Sequence, residues 1–287
     1  MDWIIPVKPG FGGFDFPYEK ADVVFIGVPL DVTSSYRSGY RFAPAKIREA
    51  SANLETYIPT AGIDVFAKHN VSDLGDIILT PTDIVGSGRR ITEVVRKVVG
   101  DGKIPILLGG EHTITYFSVK AFSDVFIVQL DAHADLREEY LGDRICHATV
   151  MRRILESIPE EKIAQLGIRS YSAEEAEFLK KSRHLLISTE TLLEKRSEAM
   201  EQLKKTVGSS PVYLTIDLDV LDPAFAPGVA TPEPGGLHTV DLLRITREIA
   251  GLNLVGCDIV ELTPPHDNGS TAFAAARTAY EILAFMK

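Results

Sequence analysis

The sequence predicts one α/β domain: a parallel β-sheet with helices packed on both faces. Three observations carry this. Short runs rich in Val, Ile and Leu recur along the chain with helical patterns between them. The runs are almost continuously apolar rather than alternating, as expected of strands covered on both faces. No Gly/Ser linker, charge block or internal repeat divides the chain, so residues 1–287 are read as a single domain.

In chain order, 23–28 reads as the first strand and 44–55 as the first helix. A second helix follows at 83–99, where Asp83 is placed to cap the first turn with its side chain. Strands are expected at 104–108, 125–130 and 162–168, then a helix at 189–207 and a strand at 212–216. A helix at 239–250, with Thr239 as a side-chain cap, leads to a strand at 254–260 and a last helix at 271–285. Residues 223–236 carry four prolines and three glycines and read as a long irregular loop. That loop follows a strand ending in Asp-Leu-Asp, which marks it as functional.

Composition narrows the function classes. With 45% hydrophobic and 24% charged residues, and mean hydropathy +0.06, the chain is globular rather than disordered, collagenous or mucin-like. The longest stretch without a charged side chain, 206–216, is eleven residues, short of the roughly 18 that a membrane span needs. The opening Met-Asp-Trp-Ile-Ile-Pro lacks a cationic segment followed by a long apolar one, so a cytoplasmic location is expected. Two cysteines, Cys146 and Cys257, form no CxxC pair and read as buried thiols in a reducing compartment. Forty acidic against thirty basic side chains give a net charge of −10. This is the wrong sign for nucleic acid, and it suits a cationic small substrate.

The chemistry gathers at strand ends. After the run 125–130, Asp131, His133 and Asp135 alternate at period two and project to one side. The run 212–216 ends likewise in Asp217 and Asp219, and 104–108 ends in Gly109-Gly110-Glu111-His112. In a parallel sheet the carboxyl ends of strands collect on one edge, so these groups can meet in one crevice. Four carboxylates brought together without cations would repel and shift their pKa values upward. Two divalent ions balance them, and oxygen ligands with some imidazole favour Mn²⁺, with Zn²⁺, Co²⁺ and Fe²⁺ left open by ligand type alone.

The segments GGEHT at 109–113, DAHAD at 131–135, DLDVLDP at 217–223 and VELTPP at 260–265 resemble the ureohydrolases, the binuclear-manganese group that contains arginase and agmatinase. SGYRFAPAKIR at 38–48 and DLGD at 73–76 are similar to two further family segments. The resemblance implies a three-layer sandwich around a mainly parallel, eight-stranded sheet, and homotrimers or homohexamers. It also implies that Asp131 and Asp217 bridge two Mn²⁺ per chain, that His112 and Asp135 complete one ion, and that His133 and Asp219 complete the other. Asp222, Pro223 and Asp76 are left out of the ligand set as turn or structural residues, and Asp258 is assigned a structural role on the opposite face of its strand.

The implied reaction is hydrolysis of a guanidinium carbon to urea and an amine. Paired divalent ions lower the pKa of bound water enough for attack near neutral pH. By resemblance, Asp135 takes a proton from the attacking group, His147 shuttles a proton to the leaving amine, and Glu261 binds the guanidinium through its paired N–H donors. His238 is the one further histidine expected to approach the site, because it follows the long loop.

For the substrate, the arginase pattern that holds an α-carboxylate is missing: Asp143, Cys146 and Ala148 stand where it would lie, and Ser170-Tyr171-Ser172 follow Arg169 in place of Asp residues. Residues 136–153 instead look like the agmatinase branch, implying agmatine hydrolysis to putrescine and a place in polyamine synthesis. N1-aminopropylagmatine and guanidino acids are the alternatives within the family. A catalytically lapsed binding protein and a mononuclear zinc deacetylase are the alternatives outside it. Glu138, Glu139 and Asp143 are expected to make the pocket rim acidic.

Overall fold

A computed structural model describes residues 3–287. Its strands are β1 (Ile4–Ile5), β2 (Val23–Gly27), β3 (Tyr57–Ile58), β4 (Ile63–Asp64), β5 (Val71–Ile77), β6 (Ile104–Leu108), β7 (Phe126–Leu130), β8 (Ile163–Ile168), β9 (Leu185–Ser188), β10 (Val212–Asp217) and β11 (Leu254–Val260). Apart from the small β3–β4 hairpin, they form one sheet in the order β1-β5-β2-β6-β11-β10-β7-β8-β9. Neighbouring strands are parallel throughout except at β1, which pairs antiparallel with β5. The eight-stranded parallel sheet is therefore present, with β1 added at one edge.

The helices are α1 (Ala43–Ser51), α2 (Val65–Lys68), α3 (Ile84–Gly100), α4 (Thr113–Ser118), α5 (Val150–Ile154), α6 (Ala173–Leu179), α7 (Thr189–Glu194), α8 (Arg196–Val207), α9 (Thr239–Ala250) and α10 (Ser270–Phe285). The continuous apolar runs have a plain cause. Val23 and Phe25 of β2 pack with Ile47 of α1 and Ala275 of α10 on one face, while Val24 and Ile26 pack with Ile91 and Val95 of α3 on the other. Both faces of each strand are thus dry, and a three-layer sandwich results. Among the described residues no helix is long and apolar enough to cross a membrane.

Several expected elements change. Asp83 does cap α3, accepting from the Gly86 N–H at 2.7 Å. Thr239 does not cap α9: His238 occupies the cap position without a side-chain bond, and Thr239 is already inside the helix. The helix expected over 189–207 breaks at Lys195, whose φ of −132° and ψ of 38° separate α7 from α8. The helix expected to run to residue 55 stops at Ser51. Strands β5 and β9 are additional, and β5 escapes an apolar-run reading because it carries Ser72, Asp73 and Asp76. Two of those acids are held by the buried Arg48 of α1, at 2.8 Å to Asp73 and 2.6 Å to Asp76. The two sequence segments 38–48 and 73–76 therefore meet through one ion-pair cluster.

Candidate metal centre and substrate pocket

Four adjacent strands, β6, β11, β10 and β7, deliver the chemistry from the middle of the sheet. After β6 the chain turns through Gly109 and Gly110, both left-handed at φ +73° and +83°. A Cβ on Gly110 would lie 2.3 Å from the Val28 carbonyl oxygen, so only glycine permits this turn into α4. The turn delivers His112, while β7 leads to Asp131, His133 and Asp135, β10 ends at Asp217 with Asp219 after it, and Glu261 follows β11. Asp135 and Glu261 hold positive φ values of 54° and 69° without being glycine. Such strain, which costs on the order of 1–3 kcal/mol, collects where a side chain must be aimed.

The six expected ligands converge. His112 Nδ1 lies 3.0 Å from Asp131, 3.1 Å from Asp135 and 3.3 Å from Asp217. None of these oxygens forms a hydrogen bond with it, so Nδ1 is a buried nitrogen without a partner. Its other nitrogen, Nε2, is 2.9 Å from Thr215 Oγ1. With the Nε2 proton donated to Thr215, Nδ1 keeps its lone pair for a ligand. The remaining groups meet through His133 Nδ1, 2.9 Å from Asp219 and 3.7 Å from Asp131. His112, Asp131 and Asp217 form one group able to hold a cation, and Asp131, His133 and Asp219 form another. Asp131 belongs to both, and the donor chemistry fits two hard divalent ions.

Backbone donors fix the carboxylates. Asp131 accepts from the His133 N–H at 2.6 Å and the Gln129 amide at 2.6 Å. Asp217 accepts from the Asp219 N–H at 2.8 Å, and Asp219 from the Ala132 N–H at 3.0 Å. Without a cation the charges are poorly balanced. Burial, with the charges of Asp219 and Asp135, lifts Asp131 to about 7, and burial with the charges of Asp219 and Asp131 raises Asp217 well above the usual range. Burial pulls the His133 imidazole down, but Asp219 and its neighbours outweigh it and hold the pKa at about 10. Burial likewise raises Glu261 to about 8. Its Oε1 accepts the His112 N–H at 2.6 Å, while Oε2 is buried without a partner.

These groups face a cavity of about 250 Å³ lined by His112, His133, Asp135, His147, Asp217, Asp219 and Glu261, with Asp131 buried beside it. His147 sits at its wall, and burial lowers its pKa. His238 does not approach: it is exposed, near Phe225 and Asp241, because α9 starts by turning it outward. The rim also differs from expectation. Glu138 is tied to Arg144, Arg152 and Arg153, and Glu139 and Asp143 are exposed and outside the cavity. Its outer wall instead carries Arg137, one-third exposed, and Glu175, 3% exposed, with 3.8 Å between them. Glu175 accepts the N–H groups of Leu136 and Ser172 at 2.8 and 2.7 Å.

Asp258, expected to be only structural, stands at the end of a buried chain that starts from His112. Thr215 Oγ1 is 3.2 Å from Thr115 Oγ1, which donates to Asp258 at 2.9 Å. Sequence reading could not find this chain, because its members come from β10, α4 and β11. Asp222 is the turn residue expected, accepting from Ala224, Gly235 and Gly236 N–H groups. Cys146 and Cys257 are free and buried.

Comparison with known proteins agrees with this geometry. The family model described as the Arginase family matches residues 21–284. The chain is 38% identical to guanidinobutyrase of Pseudomonas aeruginosa over 275 residues, covering 92% of this chain and 86% of the relative. It is 39% identical to agmatinase of Bacillus subtilis over 273 residues, covering 93% and 92%. The crystal structure of agmatine ureohydrolase of Thermoplasma volcanium superposes with a TM-score of 0.89 at 40% identity, covering 98% of this chain and 94% of that one. A matched family span of nearly the whole chain, a sheet with the expected eight parallel strands and acid–imidazole clusters at its strand ends converge on one conclusion: this chain belongs to the arginase family.

Proposed function

We propose that the protein hydrolyses a guanidino compound to urea and an amine, with agmatine as substrate and putrescine as the second product. The observation that carries the reaction is the pairing of two ligand clusters, buried but for the part-exposed His133, with Glu261 on one cavity. His112, Asp131, Asp135 and Asp217 would hold one Mn²⁺, and Asp131, His133, Asp217 and Asp219 the other. A divalent pair in such a site acidifies water to a nucleophile usable near neutral pH.

The chain's own groups do the rest. Glu261 Oε2, buried and unpartnered, accepts a substrate N–H and turns the planar guanidinium toward the clusters. Asp135 takes the proton released as water adds to the guanidinium carbon. The carbon–nitrogen bond to the alkyl chain then breaks, and the amine leaves with a proton delivered by His147. Because burial lowers its pKa, His147 rests neutral near pH 7, so the proton it delivers is the one Asp135 took up, relayed through the ring.

The tail is read by Glu175. A buried carboxylate acts through a low effective dielectric, about 4 kcal/mol at 4 Å when ε is about 20, whereas an exposed charge acts through water at about 1. Glu175, at 3% exposure, is the less screened of this pair, Arg137 being one-third exposed, and this supports a terminal ammonium. Arg137 itself supports a second reading, a guanidino acid whose carboxylate it would pair. Urea release from the manganese-loaded protein separates the two. We expect kcat/KM for agmatine to exceed that for arginine by at least roughly 10², since a site built for one polar pattern rejects another strongly. Glu175→Gln should weaken agmatine selectively. Preference for 4-guanidinobutyrate, lost in Arg137→Met, would establish the second reading, and better activity on arginine would overturn both.

A further inference from the structure

The segment between β2 and α1 reaches the cavity wall at Ser35, and its hydroxyls bracket His147 from both sides. Thr33 Oγ1 lies 3.2 Å from His147 Nδ1 and also accepts the His147 backbone N–H at 3.2 Å. Ser35, itself a lining residue, places Oγ 3.3 Å from Nε2. Loop hydroxyls of this kind hold a ring only if the loop is held. Here Glu111, with no exposed surface, accepts the N–H groups of Val32 at 3.1 Å and Thr33 at 2.7 Å through one oxygen. Asp31 ties the far side, accepting from Ser34 at 3.0 Å, Gly39 N–H at 3.2 Å and Arg41 at 2.8 Å.

We infer that Thr33 is a positioning residue for His147, and that Glu111 acts by holding the Val32–Thr33 backbone beneath it. The inference rests on the proposed proton-transfer role of His147. An imidazole that takes up and gives back a proton at Nε2 keeps its other nitrogen protonated throughout, and that N–H needs a fixed acceptor. Thr33 Oγ1 has two lone pairs, so it can accept Nδ1–H and the His147 backbone N–H together. When the ring is neutral, Nδ1–H donates to Thr33 and the Nε2 lone pair faces the Ser35 side. When the ring is protonated, Nε2 gains its proton and the Nδ1–H bond to Thr33 is unchanged. In both states the bond from the His147 backbone N–H keeps Oγ1 in place, so Nε2 stays aimed at the cavity. Ser35 then marks the side from which the proton leaves. The orienting partner of a base or acid is a recurring device in catalysis, and here it comes from a segment more than a hundred residues away in sequence.

The test compares Thr33→Val, which keeps size and branching but loses the hydroxyl, with Thr33→Ser, which keeps the hydroxyl, in manganese-loaded protein. Thr33→Val should lower kcat about 10- to 100-fold, part of the 10²–10⁴ that a general acid or base contributes. KM and bound metal should stay within about twofold, and Thr33→Ser should restore most of kcat. His147→Asn is the control for the underlying reading. If His147→Asn loses activity while Thr33→Val keeps wild-type kcat, the positioning role is wrong and proton transfer stands. If His147→Asn keeps wild-type kcat, the proton-transfer role itself fails. A Thr33→Val effect confined to KM, or one that Thr33→Ser does not relieve, would also overturn the inference by assigning the hydroxyl to substrate binding or the side chain to packing.

Discussion

Protons and divalent ions compete for the same atoms at the strand ends, so metal affinity should climb steeply with pH. Ligation requires neutral imidazoles and ionised carboxylates. In the metal-free chain, burial lowers His133 but the surrounding acids raise it further, to about 10. His112, buried against Asp131, Asp135 and Asp217, also lies well above its ordinary value. Asp131, raised by burial and by Asp219, stands at about 7. The sign follows from these directions. A group with a raised pKa holds its proton below that pKa, so loading the site between about pH 7.5 and 9 expels the His133 proton, and the raised His112 and Asp217 add to the release. Each displaced proton changes the binding constant tenfold per pH unit, so the overall constant of the pair climbs at least about tenfold per unit. Below about pH 7 Asp131 adds a further proton and the dependence steepens. Titration of metal-free protein with Mn²⁺ against a competing chelator, at half-unit pH steps, measures the slope. Calorimetry in two buffers of different ionisation enthalpy counts the protons independently. In His112→Asn the slope should fall. A wild-type overall constant that changes less than about fivefold per pH unit, with no protons released, would refute the assignment of both imidazoles as ligands.

Other outcomes follow from the same coordinates. Asp131→Asn or Asp217→Asn should disturb both ions, since each is proposed to bridge, while His112→Asn should chiefly weaken one. Metal analysis reads this directly, and one ion or none in fully loaded wild type would remove the binuclear reading. Arg48→Met strands Asp73, 3% exposed, without its partner, and breaking such a buried pair costs about 3–5 kcal/mol. Denaturant unfolding of the metal-free proteins checks it, and a loss below about 1 kcal/mol would show that water replaces the guanidinium.

Most of the sheet was legible because a strand dry on both faces must be apolar at every position, as Val23, Val24, Phe25 and Ile26 are. Strand β5 was not, because its acids are balanced by Arg48, whose distance from them in sequence hides a contact of 2.8 Å. The break at Lys195 carries no Gly or Pro to announce it. In the site, the convergence of Asp131, His133, Asp135, Asp217 and Asp219 was legible because their motifs follow strands whose carboxyl ends gather on one edge, although the left-handed Asp135 and the 3-10 turn at Asp219, not strand alternation, aim the side chains. Thr33, Glu175 and Asp258 were not. Each acts through a fold-dependent neighbour: an imidazole, a cavity wall and a pair of threonines on other elements.

The charge at the cavity's outer end shows why nearness in sequence misleads electrostatic argument. Glu138, Glu139 and Asp143 follow Asp135 within eight residues, yet the chain leaves the site at once. It closes a turn between Tyr140 and Asp143, with Leu141 at φ 52°, and hands Glu138 to three arginines. Those arginines hold the Glu138 carboxyl down at about 2, so its charge is permanent but spent outside the cavity. Arg137, one position earlier, turns the other way and lies 5.0 Å from the Tyr140 ring. Counting acids along the segment therefore gives the wrong rim, while the buried acid on the cavity's outer wall comes from another element, Glu175 of α6. An exposed charge is screened within about 8–10 Å at physiological salt, and a buried one is screened much less. Under the proposed agmatine reading, discrimination between an ammonium and a carboxylate tail would follow the depth of each wall charge rather than the number of charges near it.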